Sequence, residues 1–285
     1  IGLSATATAV PSSVCAGDAV QLDAIATGGS GNYTYSWTSN PPGFISNAKD
    51  PVDFPAQDIT YTVEVDDGLS TVNASVSVSV QPGPTADAGI DATICENKTY
   101  QLNGTATNYS TIAWTTNGDG TFSNAGVEDP VYYPGPDDIA NGSATLSITA
   151  FPIAPCTEPA VSSMIITFEY LPLVDAGDDD SVCAGSGYQL QGSVMNSNGY
   201  MWSTGGDGTF DDKTAPDAVY TPGPLDAANG MVTLTLTADP IPPCQAQVHS
   251  SIVLTVLETQ VVSLFDGWNG LSSYLSPYNQ NNNYD

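Results

Sequence analysis

A repeat of 88 residues is the feature that most constrains how this chain can fold. Turn, aromatic and cysteine positions all recur at this one offset, with no insertion or deletion between the two copies. The matched positions include Asp87 and Asp175, Cys95 and Cys183, Trp114 and Trp202, Asp119 and Asp207, and Cys156 and Cys244. A fixed period of this length indicates two copies of one folding module.

Proline and glycine clusters divide the chain into three modules and a tail, and the Gln81-Pro82-Gly83-Pro84 run marks the first boundary. The predicted divisions are 1–82, 83–171, 172–259 and 260–285. The first module is a shorter, diverged relative of the other two. Its last two strands, 61–65 and 71–80, flank an Asp-Asp-Gly turn, and Asp-Gly between alternating apolar runs predicts a tight hairpin.

The fold class predicted for all three modules is all-β, with tandem β-sandwich domains in an extended array. Short runs of alternating apolar and polar residues, broken by Gly, Pro and Asn, are typical of such sandwiches. Trp37, Trp114 and Trp202 fall where a sandwich buries a tryptophan on its third strand, so we expect them in the cores. The alternative is that they form an exposed platform for a ligand.

The five cysteines indicate an oxidising compartment. Cys95 with Cys156, and Cys183 with Cys244, stand 61 residues apart at equivalent positions of two equivalent modules. This spacing predicts one disulfide within each of these modules. Cys15 is left over, and we expect it to be a buried free thiol, the alternatives being a bridge to another chain or to sequence outside this one.

The charge balance excludes one class of partner and favours others. The chain has 31 acidic residues and three lysines, and its net charge is −28. Nucleic acids need Lys and Arg to neutralise their phosphates, so nucleic-acid binding is excluded. No run approaches the roughly 18 apolar residues of a membrane span, which predicts no direct membrane insertion. An acidic surface attracts divalent cations or basic partners, although it also fits a plain secreted surface.

The residues needed for catalysis do not form a recognisable set. His249 is the only histidine and lies in an alternating, strand-like stretch. A cysteine nucleophile would have no base beside it. Carboxylates are so numerous that no catalytic pair stands out. The sequence therefore predicts a protein that is not an enzyme.

Calcium is the one cofactor that the sequence suggests, because hard cations prefer clusters of oxygen ligands. The candidate ligands lie at the two boundaries between modules and are Asp87, Asp91, Asp175, Asp178, Asp179 and Asp180. The Gly-Asp-Gly-Thr-Phe segments also resemble calcium loops, but an Asp between two glycines is equally what a tight turn requires.

Taken together, these motifs resemble the PKD-like and Ig-like repeats of large Bacteroidetes cell-surface proteins. The matching string is Asp-Ala-Gly, then Cys95 or Cys183, Tyr-x-Leu, Trp-x-Thr, Gly-Asp-Gly-Thr-Phe, and a closing Pro followed by Cys156 or Cys244. The likeness covers residues 84–259 well and 1–82 loosely. It implies an extracellular, cell-surface adhesin or gliding-associated filament.

Three functions follow as hypotheses. The first is a non-catalytic structural or adhesive stalk whose partners are neighbouring modules and a surface glycan or protein ligand. The second is a subunit of a self-assembling extracellular filament or sheath, joined by adding a strand to a neighbour's sheet. The third is the carbohydrate-binding accessory region of a secreted hydrolase. The predicted assembly segment of the second hypothesis contains Val261, Leu264, Trp268, Leu271 and Tyr274.

Overall fold

The computed structural model describes residues 2–258. Nearly all of its regular structure is β-strand, which confirms the predicted all-β class. Three separate hydrophobic clusters of buried residues lie within 14–80, 88–168 and 176–256. The chain divides into two compact units, the first formed by residues 1–171 with 241–246, and the second by the other described residues.

The first module consists of eight strands in two sheets. They are β1 (Ser4–Val10), β2 (Ser13–Cys15), β3 (Val20–Thr27), β4 (Thr34–Asn40), β5 (Ile45–Ser46), β6 (Val52–Asp53), β7 (Ile59–Asp66) and β8 (Thr71–Gln81). One sheet has the order β1-β3-β6, and the other has the order β2-β8-β7-β4-β5. The antiparallel pairing of Asp66 with Thr71 confirms the tight β7–β8 hairpin predicted from Asp-Asp-Gly.

The second module consists of nine strands and one short helix. They are β9 (Thr85–Asp87), β10 (Ala92–Cys95), β11 (Tyr100–Gln101), β12 (Thr105–Thr107), β13 (Tyr109–Thr116), β14 (Thr121–Phe122), β15 (Val131–Tyr133), α1 (Pro136–Ala140), β16 (Ser143–Pro152) and β17 (Ala160–Glu169). The main sheet has the order β10-β17-β16-β13, and the other strands form the shorter sheets β11-β15-β14 and β12-β9.

The described part of the third module repeats this order. Its elements are β18 (Leu173–Asp175), β19 (Asp180–Cys183), β20 (Tyr188–Gln189), β21 (Ser193–Met195), β22 (Ser197–Thr204), β23 (Thr209–Phe210), β24 (Val219–Thr221), α2 (Pro224–Asn229), β25 (Met231–Pro240) and β26 (Val248–Leu257). The main sheet has the order β19-β26-β25-β22. This arrangement is an Ig-like β-sandwich.

The cores follow from the period of two along each strand. In β16, Leu146, Ile148 and Ala150 are fully buried, whereas the residues between them are more exposed. Successive side chains of a strand point to opposite faces, so this alternation puts one face of the sheet into the core. Trp37, Trp114 and Trp202 are 0%, 3% and 1% exposed, so each is a core residue and none is a surface platform.

A reciprocal pair of aspartates holds the Gly-Asp-Gly turn of the third module. In the third module the Asp207 carboxylate accepts hydrogen bonds from the Leu225 and Asp226 N–H groups at the start of α2. The Asp226 carboxylate in turn accepts bonds from the Asp207 and Gly208 N–H groups of the turn. Asp119 caps α1 of the second module in the same way. These turn aspartates therefore use their oxygens on helix N–H groups, as a helix cap does.

A buried tyrosine completes the pair. The Tyr220 hydroxyl donates to Asp226 Oδ2 at 2.6 Å, and both side chains are almost fully buried. Burial and then this hydrogen bond raise the pKa of Tyr220 to about 12. Burial alone would raise the pKa of Asp226, but the hydrogen bonds from Tyr220 and from the Gly223, Asp207 and Gly208 N–H groups together lower it.

Glycine is required beside this carboxylate because of space. A Cβ atom added at Gly206 would overlap Oδ1 of Asp226, and one added at Gly118 would overlap Oδ1 of Asp138. The first glycine of the repeated turn therefore lets the helix aspartate reach the turn. The two short helices were not predicted from the sequence, because five or six residues are too few to show a helical apolar period.

We expect Asp226→Asn to destabilise the protein by about 2 kcal/mol at pH 7, because the bonds to the charged carboxylate are weakened. The pKa of Asp226 is lower in the folded protein than in the unfolded chain. The stability from its ionised form is thus fully present above about pH 4 and is lost as the pH falls further. Urea unfolding at pH 7 and in acid should show the difference between variant and wild type shrinking in acid.

Asp217→Asn is the matched control, because the Asp217 side chain is exposed. This variant should unfold like the wild type at both pH values. An equal loss of stability for Asp226→Asn at neutral and acidic pH would contradict the role given to the ionised carboxylate.

Candidate functional site: the disulfide-bridged junctions

The two disulfides join cysteines of different modules. Cys15 is bonded to Cys156 with a Cα–Cα distance of 4.7 Å, and Cys95 is bonded to Cys244 with a distance of 4.9 Å. All four residues belong to the first compact unit, which includes the loop 241–246. The fifth cysteine, Cys183, is exposed and has no disulfide partner among the described residues.

The predicted pairing of the cysteines is therefore wrong. The sequence favoured Cys95 with Cys156 and Cys183 with Cys244, and it left Cys15 free. A bond within a module would require both of its cysteines to lie at the same end of the sandwich. Cys95 is paired in register with Glu169 at the end of β17, whereas Cys156 precedes the start of that strand. The length of β17, about 30 Å, keeps them apart.

Cys15 and Cys95 are called receiving cysteines here, because a loop of the following module bonds to each of them. Each lies on a short strand that runs parallel to the last strand of its module. Cys15 is paired with Gln81 at the end of β8, and Cys95 is paired with Glu169 at the end of β17. The next N–H group after each cysteine donates to the carbonyl of the same partner, Ala16 to Gln81 and Glu96 to Glu169. This pairing presents the cysteine at the end of the module where the chain leaves it.

The other cysteine of each bond, Cys156 or Cys244, lies at the tip of the loop between the last two strands of the following module. This loop is called the donating loop. The Cys156 N–H donates to the Ile153 carbonyl at 3.0 Å, and the Cys244 N–H donates to the Ile241 carbonyl at 3.0 Å. Each turn is therefore closed in the same way. The Sγ atom of Cys156 lies 3.3 Å from the Gln81 carbonyl oxygen, and that of Cys244 lies 3.3 Å from the Glu169 carbonyl oxygen.

Both bridges are shielded from solvent. Cys95, Cys156 and Cys244 are between 3% and 6% exposed, and Cys15 is half-buried. A small cleft lies beside each bond, of about 320 Å³ next to Cys15 and about 300 Å³ next to Cys95. In the chain-entropy account, loops as long as those between the bonded residues make each disulfide worth about 5 kcal/mol. The arrangement is suited to holding modules together.

Four of the predicted calcium ligands act on the backbone. Asp91 accepts a hydrogen bond from the Ile165 N–H at 2.7 Å, and Asp179 accepts the equivalent bond from the Val253 N–H at 2.7 Å. Asp87 and Asp175 each accept a bond from the glycine two residues later, at 2.9 Å. These repeated aspartates therefore fasten the entry segment of a module, Asp91 and Asp179 doing so against its last strand.

The remaining two, Asp178 and Asp180, border a cleft of about 350 Å³ in the third module together with Asp175, Asp179 and Tyr188. Asp180 accepts a hydrogen bond from the Tyr188 hydroxyl at 3.1 Å, and burial followed by this bond raises the pKa of Tyr188. Within residues 2–258 no three His, Cys, Asp or Glu side chains are grouped so that they could hold a metal ion. Calcium binding stays a prediction.

His249 and the predicted assembly segment are the other positions that the sequence singled out. His249 lies on β26 opposite Thr237 of β25, in regular strand pairing. The predicted assembly segment, with Val261, Leu264, Trp268, Leu271 and Tyr274, falls outside the described residues. In the part of the chain that the structure describes, no helix is long and apolar enough to cross a membrane.

The sequence contained a signal for the true pairing. Three modules carry a receiving cysteine, but only the second and third have a long loop between their last two strands, because β7 and β8 are joined by a tight turn. If each loop cysteine bonds to the preceding module instead of its own, Cys15 is bonded and Cys183 is the cysteine left free. Both pairings leave one cysteine over, so only the positions of the strand ends distinguish them.

Comparisons with known proteins find likeness at the level of structure only. No protein family and no curated protein matches the sequence. A three-domain I-band fragment of titin, I67–I69, is 11% identical, covers 89% of this chain and 99% of its own, and has a TM-score of 0.47.

Two further solved structures show the same range of likeness. Domains EC22–24 of mouse cadherin-23 are 17% identical, with 90% of this chain and 100% of that chain covered, at a TM-score of 0.45. A structure from a 1.5-MDa bacterial ice-binding adhesin is 16% identical, with coverage of 90% and 98%, at 0.39. Because all three TM-scores are below 0.5, the fold class is taken from the chain's own strands and cores. By its own sheets and cores this chain is a tandem array of Ig-like β-sandwiches.

Digestion of the unreduced protein after alkylation with N-ethylmaleimide should reveal the pairing directly. We expect the Cys15 peptide linked to the Cys156 peptide, and the Cys95 peptide linked to the Cys244 peptide, because these pairs are bonded in the structure. Cys183 should carry the alkyl label because it is exposed. Mass spectrometry of an Asp-N digest separates all five cysteines.

Reduction before alkylation is the control and should label every cysteine. Label on Cys15, together with a Cys95–Cys156 peptide, would refute the pairing between modules and restore the pairing within them.

Proposed function

We propose that this chain is a non-catalytic, force-bearing stalk segment of an extracellular or cell-surface protein. The observation that carries the proposal is the pair of disulfides that bond one module to a loop of the next. A disulfide inside a sandwich would stabilise that sandwich only. A disulfide between successive modules keeps them joined when the backbone between them is strained, which is what a spacer under tension requires.

The covalent path under tension supports the proposal. When the two chain ends are pulled, the shortest bonded route follows residues 1–15, crosses to Cys156, returns to Cys95, crosses to Cys244 and continues to the end. The long segments 16–94 and 157–243 lie outside this route. Most of the first and third modules is therefore shielded once the chain is taut.

The second module is loaded in a direction that resists opening. Force enters at Cys156, before the start of β17, and leaves at Cys95, beside the end of that strand. The residues 92–95 are paired with 166–169 in parallel. Several backbone hydrogen bonds must therefore slide past one another together before the two strands separate.

Composition supports an extracellular setting for this stalk. Disulfides form and persist in oxidising compartments, and the two in this chain join successive modules. The net charge of −28 makes copies of the chain repel one another, which keeps exposed repeats in solution. We also propose that this stalk binds a surface glycan or a surface protein. The reason is its resemblance to the repeats of Bacteroidetes cell-surface proteins.

Pulling single molecules by their ends tests the stalk. The disulfide-bonded chain should extend to roughly 120 residues, about 430 Å, whereas the chain with Cys15, Cys95, Cys156 and Cys244 replaced by Ser should reach about 1,000 Å. At constant force, the bonded chain should also hold its folded length on the order of ten times longer, because each bond stabilises the folded array.

Cys183→Ser is the matched control and should behave like the wild type in both measurements, since Cys183 is in neither bond. Equal lifetimes under force for bonded and unbonded chains would overturn the force-bearing role. A maximum end-to-end length near 590 Å would instead show disulfides within modules, because that pairing leaves roughly 165 residues to stretch.

A further inference from the structure

We propose that Cys183 is an attachment site for a further module, which it binds through a disulfide to the cysteine at the tip of that module's loop between its last two strands. The inference deepens the proposed stalk function and rests on it for its purpose, but its evidence is the repeated bonding at two equivalent positions. It makes the third module a receiver, as the first and second modules already are.

The equivalent cysteines supply the independent evidence. Cys15 and Cys95 occupy the position of Cys183 in the two preceding modules, and both are bonded to a loop cysteine of the module that follows. The cysteine at this position of the module is therefore disulfide-bonded in two of the three modules. Cys183 is the third occurrence, and none of the described residues provides its partner.

The backbone around Cys183 is already arranged as in the two bonded junctions. Cys183 is paired in parallel with Leu257 at the end of β26, as Cys95 is with Glu169. The Ala184 N–H donates to the Leu257 carbonyl at 2.8 Å, and the Ser186 N–H donates to the Cys183 carbonyl at 3.0 Å. The matching bonds at Cys95 are made by Glu96 and Lys98. The receiving side is complete before any partner binds.

Exposure distinguishes the open position from the filled ones. Cys95 is 3% exposed beneath the loop that contains Cys244, whereas Cys183 is exposed. Its strand partner Leu257 is 48% exposed, although Glu169 at the equivalent place is half-buried. Without its partner loop the second module would likewise present a free thiol, at Cys95, beside the uncovered end of its last strand.

The chemistry of the partner follows from the two filled junctions. The loop must carry a cysteine in a turn like Ile241-Pro242-Pro243-Cys244, between two antiparallel strands. A second copy of this chain has both such loops already bonded, and its first module has only a tight hairpin. The partner is therefore a module of the same repeat type other than those in residues 1–258.

Bond formation removes one proton and one electron from each of the two thiols. The two electrons pass to a disulfide of an oxidoreductase or of a small thiol, which is reduced to two thiols as the new S–S bond forms. Exchange through a mixed disulfide on either cysteine gives the same balance. No other chemistry is required.

A lengthened chain tests the inference. Residues 172–258 are followed by a second copy of the same segment and then by 259–285, and the oxidised protein is mapped without reduction. We expect the original Cys183 to be bonded to the Cys244 of the added copy, and the Cys183 of the added copy to react with N-ethylmaleimide. A monomer on a non-reducing gel assigns the bond to one chain, and a dimer assigns it to two.

The matched control replaces the Cys244 of the added copy by Ser and should leave both copies of Cys183 alkylated. The inference is overturned if the original Cys183 stays free in the lengthened chain while Cys95–Cys244 forms normally. That result would leave the force measurements on the 285-residue chain untouched, so the two proposals fail separately.

A peptide probe on the unaltered protein decides the question if the added copy does not fold. The probe is residues 239–247 with its cysteine as a 2-pyridyl disulfide, so that attack by the Cys183 thiolate releases pyridine-2-thione and forms the mixed disulfide. Exchange should be about tenfold faster than with a scrambled peptide that keeps its cysteine in place. Equal rates for the two peptides would count against the inference, and Cys183→Ser should abolish the reaction.

Discussion

The parallel pairing of a short early strand with the last strand of each module fixes the rest of the arrangement. It puts Cys15 and Cys95 at the end where the chain leaves the sandwich. The antiparallel hairpin of β16 and β17 puts Cys156 at the opposite end. A disulfide requires Cα atoms less than about 7 Å apart, and the length of a strand separates these ends. The two cysteines of one module therefore cannot bond to each other, and the bonds present join successive modules.

The same geometry gives the array a direction. Cys15 and Cys95 are each bonded to a loop cysteine of the module that follows in the chain. The first module can only receive, because a tight turn replaces its donating loop, whereas the second module does both. A series of modules bonded in this way transmits tension through sulfur as well as through the backbone. This is the physical basis of the stalk function that we propose.

The repeated polar motifs serve packing. The Gly-Asp-Gly turn, the aspartate of the short helix and a buried tyrosine hold one another, and Gly206 leaves room for the Asp226 carboxylate. Asp91 and Asp179 hold the entry segment of a module against its last strand. Motifs that resemble ligand sites by composition are thus explained by hydrogen bonds within the sandwich. Asp178 and Asp180 border a cleft of the third module together with Asp175 and Asp179, and the equivalent positions of the second module are Ile90 and Ala92.

Much of the fold could be predicted from the sequence, because strand alternation and turn chemistry are local. The 88-residue period, the hairpin at Asp66 and the alternating core of β16 all depend on neighbouring residues. The helices α1 and α2 were missed because their short length carries no apolar period. The odd number of cysteines indicated a thiol left over, and the sequence placed it at Cys15.

The sequence by itself determined the 88-residue repeat and the all-β class. Only the tertiary structure decided which cysteines pair. A repeat gives the same spacing whether a bond closes within one module or passes to the next, so periodicity cannot separate the two. The distinction rests on which end of β17 each cysteine occupies, and parallel pairing across the sheet sets that position.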